Sequence, residues 1–515
     1  MRSQAAMRMS NSMVKDTNGT RHPSAGPGRA TIAAACCVLM SVVLTVFGAK
    51  NEIADSDITN AVETNLLFEE GVSSHLIDVS TNNGVVTLSG SVSNILEKDR
   101  AVDVTEHVKG VRSIVDKVEV RPVVRPDYEI EQDILSSLAM DPATEVFEVG
   151  VKVDEAVVRL TGEVDSYAEK ILAEKVAKGV RGVQQVINEI DYVYTGSRSD
   201  ADIKADVRMR LKWDPRIDDE LIDIKVDKSV VKLSGTIGSL AEQRAAENKA
   251  QVVGAVRVDT RGLKVRPWAE NKMIREKAAI IKRDSEIKQA VLDAMIADTR
   301  VASFKIQVSV EDAEVMLTGT VDNLKAKRAA ANAARNTAGV WNVNNKIKVR
   351  PAKDEDSSDA ELAAKVAKAL SWDPVVERHE VGVTVRNRKA YLRGNVDNIF
   401  EKRQAEDVAS RVNGIVSVLN SIVINREWPY KSDEDIEAGI NDEWFWSPFV
   451  DGGDLSVGVE EGEATIVGTV DDYAELVDSV ENAFEGGAHT VYTHVRVEEN
   501  DRVAESFWAE PPGEY

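Results

Sequence analysis

Residues 127–164 read DYEIEQDILSSLAMDPATEVFEVGVKVDEAVVRLTGEV. From Asp127 to Met140, Ile130, Ile134, Leu135 and Leu138 recur at helical spacing, which gives a helix with one apolar face. Asp141-Pro142 ends it, because proline disfavours helical geometry in the residue before it. Phe147, Val149, Val151 and Val153 then alternate, as a half-buried strand does. Asp154-Glu155 reads as a two-residue turn, and Val158 and Leu160 belong to a return strand that closes at Thr161-Gly162. Asp165 or Ser166 can accept the free amides of a second helix over 166–180. After Gly182, the residues Val183, Val186 and Ile190 lead into a last strand. The predicted order is α-β-β-α-β, two helices on one face of a three-stranded sheet.

The same unit recurs. Gly162 is one of six glycines, Gly90, Gly162, Gly235, Gly319, Gly394 and Gly468, each followed two residues later by Val or Ile. Their separations are 72, 73, 84, 75 and 74, and 22 residues before each lies a column of Phe68, Met140, Trp213, Ala297, Trp372 and Trp446. A second glycine follows 19 or 20 residues after the first, at Gly110, Gly182, Gly254, Gly339, Gly414 and Gly487. A fixed period of this kind is the mark of a repeat array. The fold class is therefore α+β, a tandem array of six small α-β-β-α-β domains over 53–122, 127–195, 199–267, 283–351, 358–426 and 432–499. Each is near the small end of what folds alone. The first-set glycines sit at strand ends, where positive φ or close backbone approach suits glycine. The second set follows helices, where glycine commonly forms the stop. None lies in a phosphate-binding or dinucleotide-binding glycine pattern.

The run Val85-Val86-Thr87-Leu88-Ser89-Gly90-Ser91-Val92, followed by Gly110-Val111 and by Val118 and Val120, resembles the BON domain family, named for bacterial osmotic-stress and nodulation proteins. Val230-Val231-Lys232-Leu233-Ser234-Gly235-Thr236-Ile237 and Val315-Met316-Leu317-Thr318-Gly319-Thr320-Val321 repeat the resemblance, which covers about residues 53–499. The sixth copy departs most, with Gly487 preceded by another glycine and an acidic second helix. The resemblance implies a bacterial cell-envelope protein with no catalytic residues, attachment to phospholipid membranes, and links to osmotic or envelope stress.

Residues 30–49, ATIAAACCVLMSVVLTVFGA, form an uncharged, mostly apolar stretch long enough to cross a bilayer as a helix. Arg2, Arg8, Lys15, Arg21 and Arg29 precede it against Asp16 alone, so residues 1–29 read as a cytoplasmic leader and the repeats as exported. Signal peptide and retained inner-membrane anchor both remain open. Cys36 and Cys37 are the only cysteines, so disulfides and thiolate metal sites are excluded from the repeats. The net charge of −23 is uneven. Residues 432–515, including the acidic tail 500–515, carry 23 Asp and Glu against Arg496 and Arg502. Residues 283–353 hold 12 Lys and Arg against 8 acids. A basic middle and an acidic end point to different partners. Between repeats three and four, residues 268–282 contain no Pro or Gly and read as a helical spacer dividing the array into two triplets.

Candidate binding residues are those that differ between copies. Trp213, Trp372 and Trp446, with Phe68 and Met140 in the same column, are membrane-contact candidates, since an indole suits the headgroup layer. The competing reading, packing across a sheet edge or against a neighbouring repeat, is favoured by Met140 and Ala297 in that column. Lys325, Lys327, Arg328 and Arg335 on the second helix of repeat four are candidates for anionic lipid, against a plain solvated helix face. Nucleic acid is disfavoured by export, by the negative charge and by the lack of an aromatic-basic platform. His489 and His494 fall on opposite faces of a strand, the acidic runs lack the ligand spacing of a calcium loop, and no nucleophile–base motif is legible. No metal, cofactor or catalytic residue is assigned. The expected function is non-enzymatic: an envelope protein attaching to phospholipid membrane and supporting envelope integrity under stress. The alternative is a periplasmic scaffold or chaperone-like binder of other proteins.

Overall fold

The computed structural model describes residues 53–508, apart from 70, 142–148, 165–166, 193–195, 197, 271–281, 298–300, 302–304, 352–356, 377–380, 426–431 and 499–501. The leader, the apolar segment 30–49 and most of the spacer lie outside the described residues. Among the described residues, no helix is long and apolar enough to cross a membrane.

Each repeat is a small α+β unit. Its first helix starts at an aspartate, in Asp55–Phe68, Asp127–Met140, Asp200–Lys212, Asp284–Ala297, Asp359–Trp372 and Asp433–Trp446. An antiparallel hairpin follows, for example Val149–Asp154 with Val157–Val164, and then a second helix, Tyr167–Lys178. The third strand, Gln185–Tyr192, returns parallel to the second, so the long strand through Leu160 is central. Each repeat closes over its own apolar core. In repeat two this joins Ile130, Ile134 and Leu138 of the first helix to Val158, Leu160 and Ile190 of the sheet and Ala173 and Val176 of the second helix. In repeat six a further strand from the tail, Arg502–Trp508, pairs antiparallel with the third strand, Thr490–Val497.

The hairpin turn lies one residue later than the sequence reading placed it. Asp154 pairs with Val157, and the turn residues are Glu155 and Ala156, with φ of 49° and 63°. Positive φ at both central residues is the geometry that matches the twist of the flanking strands. Four of the six turns use non-glycine residues at both positions, at some conformational cost. The aspartate that opens the first helix offsets it. Asp127 accepts the amides of Glu155 and Ala156 at 2.9 and 3.0 Å, and Asp55, Asp200, Asp284, Asp359 and Asp433 do the same in their own repeats. The second helix is capped by Asn94, Ser239, Asn323, Asn398 or Asp472. Asp322, Asp397 and Asp471 each lie one residue before that cap, at the position of Asp165.

At the strand-end glycines the reason for glycine is steric. Gly90 has φ of 120°, and a Cβ there would lie 2.0 Å from the carbonyl oxygen of Leu76.

Candidate functional site

The column that ends the first helix meets the second-glycine loop of another repeat. The amide of Lys109 donates to Trp446 O at 2.9 Å, Arg181 to Trp372 O at 2.6 Å, Ala338 to Trp213 O at 2.9 Å, and Asn413 to Met140 O at 3.1 Å. Each donor immediately precedes Gly110, Gly182, Gly339 or Gly414. The repeats thereby pair as one with six, two with five, and three with four. Trp446 is buried among core residues of repeat one, and Trp213 packs on the core of repeat four. Trp372 is buried, with Lys368 Nζ 4.8 Å from its ring centre. Met140 and Phe68 are half-buried.

Two further sets of contacts complete the pattern. Lys178 of repeat two bonds Asp99 of repeat one at 2.9 Å, and Arg244 of repeat three bonds Glu106 of repeat one through Nε at 3.1 Å. Lys178 and Glu106 hold the same place in their repeats, as do Asp99 and Arg244, so one head-to-tail contact recurs among repeats one to three. Repeat four is linked to five by Arg328 with Glu406 and to six by Trp341 packed at a tilt on Tyr473, ring centres 5.6 Å apart. Across these groups, Arg100 lies over Phe400 at 4.7 Å, Lys325 bonds Asp141 at 2.7 Å, and Arg216 bonds Asp478 at 2.5 and 3.2 Å. These join one to five, two to four, and three to six. Three pairings of each kind thus run between repeats one to three and repeats four to six, so that every repeat meets two repeats of the other half.

The basic helix of repeat four is largely spent on these contacts. Lys325, its side chain 13% exposed, lies against Asp141, and desolvation there holds its ammonium below the usual lysine range. Arg328 is half-buried against Glu406. Lys327 is half-buried, and Arg335 is exposed, with Asn332 Oδ1 3.3 Å from its Nη1. Around Asp141 the charges are dense. Burial pushes Asp407 up, but Arg411, Lys175 and Lys325 together hold it well below the usual carboxylate range. Burial raises Asp373, which accepts from Gln404 at 2.6 Å. The acid after the column explains these ties. Glu69, Asp141, Asp214 and Asp373 all occupy that place, and sequence reading noted it only as a helix stop.

An exposed basic surface lies elsewhere, on the outer face of the repeat-five sheet. Arg386, Lys389 and Arg393 are exposed on strands Val381–Arg386 and Lys389–Val396, around half-buried Tyr391. Leu419 and Val423 on Ser417–Ile424 stand beside them, 55% and 59% exposed. Arg386 sits directly opposite Lys389, and like charges opposed across a hairpin repel. No Asp or Glu occurs on these three strands. That absence was the legible signal, but the face emerges only when strand alternation is applied to all three segments together.

The chain belongs to the BON domain family, which matches residues 54–122, 126–194, 199–267, 283–351, 358–426 and 432–499. It is similar to osmotically-inducible protein Y of Escherichia coli (strain K12), 35% identical over 147 residues that make up 27% of this chain and 73% of that protein. It is also similar to the outer membrane lipoprotein DolP of Haemophilus influenzae, 27% identical over 139 residues, 26% of this chain and 72% of that one. Among solved structures, the type III secretion protein CdsD of Chlamydia trachomatis aligns with 44% of this chain and 94% of its own at 14% identity, with a TM-score of 0.13.

Proposed function

We propose that this chain is a non-enzymatic protein of the bacterial cell envelope whose BON domains attach it to anionic phospholipid. The observation that carries this reading is the acid-free sheet face of repeat five. Arg386, Lys389 and Arg393 surround Tyr391, Leu419 and Val423, so cationic groups can meet headgroups while apolar side chains enter the interface. A basic residue near an anionic leaflet contributes on the order of 1 kcal/mol. In this reading Lys327 and Arg335 are secondary lipid contacts, while Lys325 and Arg328 hold repeats together. Trp213, Trp372 and Trp446 reach headgroups only if the paired repeats part. Export follows from the basic leader and the apolar segment 30–49, and the similarity to an outer membrane lipoprotein agrees with an envelope setting.

Co-sedimentation of residues 53–515 with phosphatidylglycerol vesicles, set against phosphatidylcholine vesicles, tests the proposal. Binding to the anionic vesicles alone, weakened by salt and by R386E/K389E/R393E, is the expected result. Equal binding to both vesicle types rejects it.

The scaffold reading has its own observation. The outer face of the repeat-six sheet exposes Val467, Tyr492 and Phe507, with the last two rings 4.9 Å apart, near Glu460 and Glu463. An exposed aromatic patch beside acids suits a protein partner better than an anionic bilayer.

A further inference from the structure

The hairpins of repeats five and six carry opposite charges at the same positions. Arg386 ends the first strand of repeat five and pairs with Lys389, which begins the second, across the turn Asn387-Arg388. In repeat six those places are held by Glu460 and Glu463, across the turn Glu461-Gly462. All four charges are exposed, and none has an ion-pair partner among the described residues. Like charges opposed across a hairpin repel. Each tip is therefore unbalanced alone and balanced by the other.

The rows beside these tips also match in shape. On its outer face repeat five sets Thr384, Tyr391 and Leu419 side by side, and repeat six sets Gly458, Thr465 and Tyr492. Sheets pack face to face with their strands nearly aligned. Turning one face onto the other about the strand direction, hairpin tips together, reverses the strand order. Leu419 then lies over Gly458, Tyr391 over Thr465, and Tyr492 over Thr384, a large side chain on a small one each time. A Cβ at Gly458 would meet nothing within 4 Å, so that place is open. The same placement sets Lys389 over Glu463. Repeat four also opposes two acids, Glu311 and Glu314, but its strands carry no aromatic residue, and Lys348 stands beside Thr320 on that face.

We infer that the outer sheet face of repeat six docks the repeat-five face of a second copy of this chain. Both faces are exposed together in one chain, so the contact is made between chains. Each copy offers both faces, and copies join reciprocally or head to tail. The contact covers Arg386 and Lys389, so an associated chain cannot use them to attach to lipid. Only that consequence rests on the lipid reading above.

Light scattering on residues 53–515, the compact unit that the six repeats form, measures the mass over a range of concentration and salt. A mass above the monomer at low salt, falling to the monomer at high salt, is expected. R386E/K389E and E460K/E463K should each be monomeric, because each gives the two faces the same sign. An equimolar mixture of the two variants should associate again, and E311K/E314K should change nothing. A wild-type monomer at every concentration in low salt overturns the inference. So does association that survives in either of the first two variants, a mixture that stays monomeric, or a loss caused by E311K/E314K. Co-sedimentation with phosphatidylglycerol vesicles separates the two readings. E460K/E463K keeps the lipid face and should bind at least as well as the wild type. A wild type that self-associates in this way but ignores the vesicles rejects the lipid reading and supports the docking.

Discussion

The backbone amide of Arg181 donates to the carbonyl of Trp372 at 2.6 Å, and the Arg181 guanidinium also reaches the carbonyls of Asp373 and Val376. Repeats two and five, far apart in sequence, are fastened by backbone as well as by side chains. Such a joint constrains what substitutions in the tryptophan column do.

Trp446→Ala removes a side chain buried among core residues of repeat one. Large-to-small truncation of a buried tryptophan costs about 3–5 kcal/mol. Denaturant unfolding should show that loss, while vesicle co-sedimentation of the folded variant stays at the wild-type level. Unchanged stability with lost vesicle binding would return the column to the membrane.

The Asp141–Lys325 pair should be strongly non-additive. Either single change, Asp141→Asn or Lys325→Met, breaks the ion pair and leaves its other charge in a largely desolvated site, a defect worth about 3–5 kcal/mol. Replacing both with apolar residues of similar volume should cost far less, since the desolvation of both charges is removed together. A double-mutant cycle in urea measures the difference.

Glu475 gives the sixth repeat a pH dependence opposite in sign to ordinary acid denaturation. Burial raises it to about 7 from 4.5, although it accepts the amides of Asp451 and Asp471 at 2.7 Å each. The folded repeat therefore holds a proton that the unfolded chain releases between pH 4.5 and 7. The stabilisation is fully present below pH 4.5 and is lost as pH rises through 7. Hydrogen exchange in Leu455–Val470 should be slower at pH 5 than at pH 8, after correction for intrinsic rates, and Glu475→Gln should flatten the difference.

Turn chemistry offers a stabilising change. Lys228 and Ser229 sit at φ of 50° and 61°, where repeat one has Asn83 and Gly84. Converting Lys228-Ser229 to Asn-Gly keeps the amides that Asp200 accepts and relieves left-handed strain, for a gain of about 1 kcal/mol. Thermal unfolding reads the shift.

Much of this was legible in the residues. The α-β-β-α-β order and its sixfold recurrence follow from alternation, helical spacing and the glycine columns, all local signals. The bracing aspartate was equally present, at Asp55, Asp127, Asp200, Asp284, Asp359 and Asp433, each 35 residues before its glycine. It went unread because its role is to bond a turn 28 residues away, and an acid in a first helical turn already has an ordinary explanation. The pairing of repeats was not legible. Trp446 reads the same whether it faces lipid, the next repeat or the first one, and Lys325 looks like a solvated helix cation until Asp141 is placed beside it. The basic face of repeat five was hidden because its charges alternate with the core residues Ala390 and Leu392.

The pairing of one with six, two with five and three with four also fixes an order in time. During synthesis from the N-terminus, repeat three finds its mate as soon as repeat four is made, and repeat two waits for repeat five. Repeat one is complete at residue 122, yet the Trp446 carbonyl that Lys109 must bond arrives only with the last repeat. Contacts closed over such long stretches form slowly and leave matching surfaces bare in the meantime. The first repeat made can hold repeats two and three early, yet it is the last to meet its column partner, and an interrupted chain carries that surface unmatched at its head.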